Sequence, residues 1–246
     1  MGKRPRDRAF DAATSLMTPL ARVVERCSLV GDGAILPADQ FAWTRLLEEH
    51  WREIRAELDA VLVDREELPA FHEIAADVSD ISTDRDWKTF FFYGYGFRSD
   101  VNLARCPTTA RLLDQVPGLT TAFFSILEPG KHIAPHRGIW KGVLRYHLGL
   151  IIPEPPEACG IRVGAEEAHW REGESLVFDD TYEHTAWNDT AATRVVLFLD
   201  VKRPCRFPGS WINSAVIRIA AFSPFVQDGR RKHREWERRY ALKHSA

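Results

Sequence analysis

Apolar residues recur every three or four positions in the first third of the chain. Between Pro37 and about Arg65 they fall on one side of a 3.6-residue period, with glutamates and arginines between them: Trp43, Leu47, Trp51, Ile54, Leu58 and Leu62. This pattern predicts one long amphipathic helix. A shorter helix is predicted from Thr108 to Gln115, because Pro117 and Gly118 cannot continue it. Both helices are expected to pack against a sheet.

The pattern changes at Thr121, where short apolar or alternating runs are separated by turn residues. These runs predict seven short strands: Thr121 to Leu127, Val143 to Ile152, Gly160 to Val163, Ala168 to Arg171, Ser175 to Phe178, His184 to Asn188 and Thr193 to Val201. A close succession of short strands is typical of a barrel or jelly roll and not of a βαβ fold.

The length of 246 residues and the mass of 28.1 kDa fit one sizeable domain. We predict a single domain, 1–246, that is mainly β with flanking helices. It has a helical N-terminal part (1–118), a β core that carries the catalytic site (about 119–204) and a helical C-terminal tail (205–246).

Composition and charge narrow the class of partner. A formal net charge of −2 provides no overall attraction for nucleic acid, so no nucleic-acid partner is predicted. The cysteines are few and widely separated, so neither a disulfide framework nor a thiolate metal site is expected, and a reducing cytoplasmic compartment fits best. No stretch approaches the roughly 18 to 20 apolar residues of a membrane-spanning helix. The basic start, Met1 to Arg8, is not followed by the apolar core of a signal peptide.

The C-terminal tail has two interpretations. An apolar segment from Trp211 to Phe222 is followed, after Pro224, by a run rich in arginine. An apolar segment followed by a basic one is able to lie on an anionic membrane, which would place the protein at the inner face of that membrane. Alternatively, the tail packs on the β core with a solvated charged face, since Glu235 and Glu237 alternate with the arginines.

Three polar residues stand out in the predicted β core. His136 is expected in a turn after Pro135, His184 at the start of a strand, and Arg194 ten residues later on the next strand. A lone histidine is more often a packed or surface residue than a ligand. Two neutral imidazoles suit iron(II), however, and the planar fork of an arginine pairs with the far carboxylate of a bound oxo acid. Together these three residues predict a catalytic set.

The predicted strand from Val143 to Ile152 offers an independent indication. Its period of two places Arg145 and His147 on one face, opposite Leu144, Tyr146 and Leu148. In one interpretation the strand is half exposed and its polar face meets water. In the other, Arg145 and His147 face the inside of the barrel and help to hold an anionic co-substrate.

Three motifs in this order resemble the aspartyl/asparaginyl β-hydroxylase family of 2-oxoglutarate-dependent oxygenases. They are SILEPGKHIAPHRG from Ser125, RYHLGL from Arg145 and FDDTYEH from Phe178, followed by Arg194. The resemblance covers about Trp87 to Pro204, and the spacing of the polar residues agrees with the family pattern.

The resemblance implies a double-stranded β-helix of the jelly-roll, cupin-like type. It implies iron(II) held by His136 and His184, with O2 as oxidant. The implied residues around 2-oxoglutarate are Ser125, Arg145, His147, Arg194 and Trp87. Where most oxygenases of this fold carry a carboxylate ligand, this chain has Gly138, so the resemblance implies water in that place.

The substrate is left open by the resemblance. Peptide-hydroxylating members carry an arginine where this chain has Val143. The segments KTFFFYGYG from Lys88 and SPFVQDGRR from Ser223 are similar to a bacterial branch that includes lipid fatty-acyl 2-hydroxylases. We expect hydroxylation of an unactivated carbon, with a bacterial lipid acyl chain as the leading substrate. Hydroxylation of a peptide or free amino acid, and a non-catalytic cupin-like binding module, are the alternatives. A zinc hydrolase is disfavoured because no HExxH is present.

Other conspicuous residues have simpler explanations. Asp179, Asp180 and Glu183 precede His184 and are expected to hold its loop and not to bind the metal. The aromatic run from Phe90 to Tyr93 is expected to pack the barrel, with the lining of an acyl channel as the alternative.

Overall fold

The computed structural model describes residues 17–75 and 81–244. Helices lie at both ends of this region and between its first strands: α1 (residues 17–26), α2 (Ala42–Glu49), α3 (Trp51–Leu62), α4 (Phe71–Ile74), α5 (Asp100–Arg105), α6 (Pro107–Leu113), α7 (Gly209–Ala220) and α8 (Pro224–His244). None of these helices is both long enough and apolar enough to cross a membrane.

Strands occupy most of the middle of the chain: β1 (Ile35–Leu36), β2 (Trp87–Gly94), β3 (Phe97–Arg98), β4 (Leu119–Leu127), β5 (His132–His136), β6 (Val143–Ile151), β7 (Cys159–Val163), β8 (Glu166–His169), β9 (Ser175–Phe178), β10 (His184–Asn188) and β11 (Arg194–Lys202).

The strands form two antiparallel sheets. The larger has the order β1-β9-β6-β11-β4-β2-β3, and the smaller has the order β5-β10-β7-β8. A cluster of buried residues joins the two, with Leu127 and Val196 from the larger sheet and Ile161 and Val163 from the smaller. Two antiparallel sheets packed face to face around one core make a jelly roll. The predicted fold class, a double-stranded β-helix with helices at both ends, is confirmed.

All seven predicted strands are present, and their ends move by no more than two residues. The prediction of a helical N-terminal part over 1–118 needs correction, because β2 lies inside it and pairs along its length with β4 in the larger sheet. From Trp87 to Phe92 every residue is buried. A strand covered on both faces shows no alternation of polar and apolar residues, so the sequence pattern does not reveal it.

The long helix predicted from Pro37 to Arg65 is also wrong as a continuous element. It is broken at His50 (φ −107°, ψ 15°) into α2 and α3. Each half keeps an inward apolar side, with Leu47 in α2 and Ile54 and Leu58 in α3. The apolar residues of α2 and α3 keep nearly the same helical period on both sides of the break, so periodicity alone does not reveal the break. The helix predicted from Thr108 to Gln115 corresponds to α6.

Helices α2, α3 and α6 cover the outer face of the larger sheet, while Phe71 and Ile74 of α4 pack on Phe91 and Phe123 of its other face. Residues of α2, α3 and α6 pack with the outward side chains of the sheet, among them Tyr146, Leu148 and Leu197, to form the largest apolar cluster. Side chains alternate between faces along a strand, so the intervening residues point toward the smaller sheet. That inner face carries the polar residues of the site.

The two C-terminal helices differ in how they pack. α7 lies with α1 in an apolar cluster that contains Val24, Trp140 and Ile217. α8 turns His233 and Trp236 inward, and the Trp236 indole donates a hydrogen bond to the Glu67 carbonyl at 3.0 Å. Packing with a solvated charged face therefore describes α8.

Candidate active site

The inner face of the larger sheet combines charged and aromatic side chains in adjacent rows. Arg145 on β6 lies opposite Asp200 on β11, and His147 lies opposite Phe198. His147 is 6% exposed, so the half-exposed interpretation of this strand is wrong and its polar side chains face the inside of the barrel. That they hold a co-substrate stays a prediction. A polar surface this deeply buried requires internal partners or a bound ligand.

The two candidate metal ligands meet where β5 pairs with β10. His184 is the register partner of His136, and their ring centroids are 4.1 Å apart. The expectation that His136 lies in a turn is wrong, because it is the last residue of β5. This pairing fixes both rings on the same side of the smaller sheet.

Each imidazole is held by a backbone carbonyl through Nδ1. The distance is 2.8 Å from His136 to Ala134 O and 3.0 Å from His184 to Tyr182 O. A carbonyl oxygen only accepts, so Nδ1 carries the proton in the neutral ring and Nε2 keeps its lone pair. Burial lowers the pKa of both histidines, and for His184 burial, Arg145 and His136 together lower the pKa to about 3. Neutral rings with a backbone-bonded Nδ1 fit a metal bound through Nε2.

The Asp180 carboxylate fills the space that a side chain at position 138, the position of the missing carboxylate ligand, would occupy. A β-carbon added at Gly138 would overlap the Asp180 carboxylate, and the Gly138 N–H donates to the Asp180 carbonyl at 2.7 Å. Burial raises the pKa of Asp180 to about 6, and its Oδ1 has no hydrogen-bond partner. In residues 17–75 and 81–244 no group of three His, Cys, Asp or Glu side chains is arranged to hold a metal ion.

Arg145 lies between two buried carboxylates. Its Nη2 is 2.9 Å from Asp180 Oδ2, its Nε donates to Asp200 Oδ1 at 3.0 Å, and its Nη1 is 3.4 Å from His184 Nε2. Burial acts to lower the pKa of Arg145, but the charges of Asp200 and Asp180 outweigh it and raise that pKa. The guanidinium thus connects the histidine pair to β11. Asp200 had not been predicted as part of the site.

Arg194 is the most deeply buried cation on the inner face. It is 1% exposed, and its Nη1 makes only long contacts with Ser125, at 3.4 Å to the carbonyl and 3.5 Å to Oγ. Its Nε has no partner, and no carboxylate of the described residues is within salt-bridge distance. Burial lowers the pKa of Arg194 to about 10. An uncompensated buried guanidinium is costly, so this arrangement fits an anionic ligand.

Two tryptophans orient the polar groups around Arg194. The Trp87 indole donates to Ser125 Oγ at 3.0 Å, and the Trp170 indole donates to His147 Nδ1 at 3.2 Å. His147 Nδ1 therefore accepts, so its proton is on Nε2, which is buried without a partner. Burial, then the charges of Arg194 and Arg145, lowers the pKa of His147 well below its usual range.

Four of the five predicted co-substrate residues, all except Arg145, thus fall into one connected group. Trp170, whose ring lies 4.4 Å from the Arg194 guanidinium carbon, joins the predicted Trp87, Ser125, His147 and Arg194. Nothing in the sequence pattern marked Trp170. Unpaired N–H groups on Arg194 and His147 fit the oxygens of a dicarboxylate.

An aromatic row extends from this polar group across the sheet. Phe198 stacks on Phe123 at 4.2 Å, and Phe123 stacks on Phe91 at 4.5 Å. The row starts beside the charged residues, since the Arg145 guanidinium lies 4.6 Å from the Phe198 ring. The inner face therefore has an apolar wall next to Arg145 and His147.

The acidic residues before His184 have structural roles. Asp179 is fully buried, accepts from the Thr181 N–H at 3.0 Å and Lys141 Nζ at 2.8 Å, and pairs with Arg203. It holds the loop as predicted. Glu183 is exposed, 3.9 Å from Arg137.

Comparison with known proteins shows the family of this chain. The family model described as Aspartyl/Asparaginyl beta-hydroxylase matches residues 48–204. An ornithine lipid ester-linked acyl 2-hydroxylase of Rhizobium tropici is 48% identical over 211 residues, which are 86% of this chain and 75% of that protein. The human aspartyl/asparaginyl beta-hydroxylase is 34% identical over 163 residues, covering 64% of this chain but only 21% of the human one.

Among solved structures, a cupin 2 conserved barrel protein from Salinispora arenicola is distantly similar. It has a TM-score of 0.34 and 7% identity over 59% of this chain and 90% of the other. The family match over most of the chain and the similarity to the Rhizobium relative are stronger evidence for the family than this distant structural similarity. This chain belongs to the aspartyl/asparaginyl β-hydroxylase family, in its bacterial branch, and is a hydroxylase.

Proposed function

We propose that this protein is an iron(II)- and 2-oxoglutarate-dependent dioxygenase that hydroxylates an unactivated carbon in a fatty-acyl chain of a bacterial lipid. One arrangement carries the proposal: on the smaller sheet two neutral imidazoles have their Nδ1 atoms bonded to backbone carbonyls, and on the inner face of the larger sheet Arg194 Nε and His147 Nε2 are buried without a hydrogen-bond partner.

The proposed roles follow from the hydrogen bonds. His136 and His184 hold iron(II) through Nε2. Arg194 and Ser125 bind the far carboxylate of 2-oxoglutarate, and Trp87 fixes the Ser125 hydroxyl by its 3.0 Å bond. His147 donates its Nε2–H to the co-substrate, because Trp170 occupies its other nitrogen.

When bound, iron, 2-oxoglutarate and O2 supply an oxidative decarboxylation that yields succinate and carbon dioxide and delivers one oxygen atom to the substrate. The protein binds and orients the reactants and excludes water, since the residues around Arg194 are buried. No side chain is needed as a general base. Arg145, held by Asp180 and Asp200, orients the His184 side of the site and provides positive charge for the co-substrate.

Three observations favour an acyl chain as the substrate. The Rhizobium relative is named for acyl 2-hydroxylation and covers more of this chain than the human relative does. The aromatic row of Phe198, Phe123 and Phe91 offers an apolar wall beside Arg145 and His147. Val143, at the position where peptide-hydroxylating members carry an arginine, is 4% exposed and packs against Trp140 and Ile217. A carboxylate-binding side chain has no place there.

The direct test is succinate formation from 2-oxoglutarate by protein loaded with iron under anaerobic conditions and then exposed to air. We expect turnover in the wild type, and none in His136→Ala or His184→Ala. His132→Ala is the matched control, because His132 is an exposed histidine on the same strand as His136. Iron binding without turnover, even with lipid present, would favour the cupin-like binding module.

The substrate is tested separately by mass spectrometry. Extracted bacterial lipids and an Asp/Asn-containing peptide are each incubated with active protein. Gain of one oxygen on an acyl chain supports the proposal. Gain of one oxygen on the peptide alone would favour the alternative substrate and leave the oxygenase assignment in place.

A further inference from the structure

The outward face of α7 is apolar and unpartnered within the described chain. Trp211, Ile219 and Phe222 are 70%, 72% and 76% exposed, and Phe207, just before the helix, is 80% exposed. Trp211 and Ile219, eight residues apart, lie on one side of α7, and Phe207 and Phe222 flank the two ends of the helix. An ordinary surface helix has its apolar side inward, so this exposed apolar face requires a partner. Phe207, Trp211, Ile219 and Phe222, with Arg218, are called the α7 outer face.

The opposite side of the same helix holds the active-site loop. Asn213 is buried, accepts a hydrogen bond from the Trp140 indole at 2.8 Å and donates to the Gly142 carbonyl at 2.7 Å. These residues belong to the loop that starts directly after His136. What binds at the α7 outer face is therefore one helix away from the loop that follows the candidate ligand His136.

Charge identifies the chemistry of the partner. Between Asp200 and Asp228 the sequence contains Lys202, Arg203, Arg206 and Arg218 but no aspartate or glutamate. Arg203 is buried and paired with Asp179, whereas Arg206 and Arg218 are exposed. In α8, Arg231 and Lys232 pair with acidic residues of the same helix, but Arg234, Arg238 and Arg239 form no salt bridge among the described residues. Uncompensated positive charge therefore lies on Arg206 and Arg218 around α7 and continues into α8.

We propose that the α7 outer face is a docking surface for an anionic lipid bilayer, with Trp211 and Phe222 inserted at the headgroup level and Arg218 among the phosphates. Apolar side chains flanked by cations are the features by which amphipathic helices lie in a membrane interface. The purpose of this docking, which is to bring lipid substrate to the loop after His136, rests on the proposed function. The docking itself does not.

A second copy of this chain is the main competing occupant. A twofold contact is isologous, so the face would meet itself. The contact would then bring Arg206 and Arg218 near their own copies with no acidic residue in the segment to compensate them. The charge pattern therefore favours a phosphate-bearing surface over self-association.

The test is flotation of the full-length protein with vesicles of phosphatidylglycerol or of phosphatidylcholine, without iron or 2-oxoglutarate. We expect binding to phosphatidylglycerol that falls about tenfold or more in Trp211→Ser/Phe222→Ser, since two large apolar side chains leave the interface. Arg218→Glu is expected to weaken binding several-fold and to make the remainder less dependent on salt.

Matched controls separate this surface from general effects. Val63→Ser/Leu242→Ser removes two equally exposed apolar side chains elsewhere, and Arg171→Glu reverses an exposed charge on the β core; both should bind as the wild type does. His136→Ala should also bind fully, so loss of turnover and loss of docking are distinguishable. Thermal melting confirms that every variant is folded.

Two results would overturn the proposal. One is equal or absent binding of the wild-type protein to both kinds of vesicle. The other is a dimer of the wild type in sedimentation velocity that Trp211→Ser/Phe222→Ser converts to a monomer, which would assign the face to self-association.

Discussion

Gly138 and Asp180 occupy adjoining places in which only one side chain fits. The main chains are joined by the 2.7 Å bond from Gly138 N–H to Asp180 O, and the Asp180 carboxylate fills the space in front of the Gly138 α-carbon. The carboxylate near the histidine pair thus comes from the loop before His184 and not from the strand that carries His136. It is also tied to Arg145, 2.9 Å away.

Gly138→Ala is expected to lower the free energy of unfolding by roughly 1–3 kcal/mol through overpacking against Asp180. In Gly138→Ala/Asp180→Gly the overlap is gone, so the two changes should not add in a double-mutant cycle measured by urea unfolding. Gly31→Ala is the control, because a β-carbon there makes only ordinary contact. Additive effects would show that the two positions are independent.

Arg194→Met should remove a buried charge without an acidic partner. The melting temperature of the metal-free protein is expected to stay the same or rise, since burial of the guanidinium is uncompensated. The rise in melting temperature on adding 2-oxoglutarate with Mn(II) should be lost. Arg171→Met, at an exposed arginine, should keep that rise. An unchanged response to 2-oxoglutarate in Arg194→Met would contradict the assigned role.

His147 should make the metal-free protein less stable in acid. Burial, Arg194, Arg145 and His184 lower its pKa in the folded state, so it contributes stability above the unfolded value near 6.5, and this is lost as pH falls below that value. Urea unfolding of wild type and His147→Gln between pH 7.5 and 5 measures the difference, and the wild type should lose stability more steeply.

The comparison must be made with the variant, because Asp180 acts in the opposite sense. Its folded pKa is raised to about 6, so its contribution is present at low pH and lost as pH rises through about 6. Parallel pH dependence in wild type and His147→Gln would mean that His147 is not neutral and buried.

Substitutions at Phe123 and Phe124 distinguish the effect of lost packing from the effect of lost contact with the substrate. Phe123 belongs to the inner aromatic row, and Phe124 belongs to the helix-covered outer core. Leucine at either position should cost roughly 1–2 kcal/mol of stability. Only Phe123→Leu should change which acyl-chain lengths gain an oxygen in mass spectrometry. An equal shift for Phe124→Leu would show that the change is due to loosened packing.

Most of the sheet was predictable because its strands alternate. Val143 to Ile151 places Arg145 and His147 inward and Leu144, Tyr146 and Leu148 outward, as the period of two requires. The exceptions have local causes. β2 is buried on both faces and lacks alternation, and the break at His50 leaves the apolar period nearly in phase.

The sequence by itself determined the jelly-roll class, the family and most of the polar residues that line the inner face, because each is encoded in local period or in ordered motifs. Only the tertiary structure decided which groups meet. The pairing of His136 with His184, the hold of Asp200 and Asp180 on Arg145, and the contact of Trp170 with His147 join residues up to 55 positions apart. Such contacts depend on strand register and on how two sheets face each other, and local patterns along a chain do not contain that information.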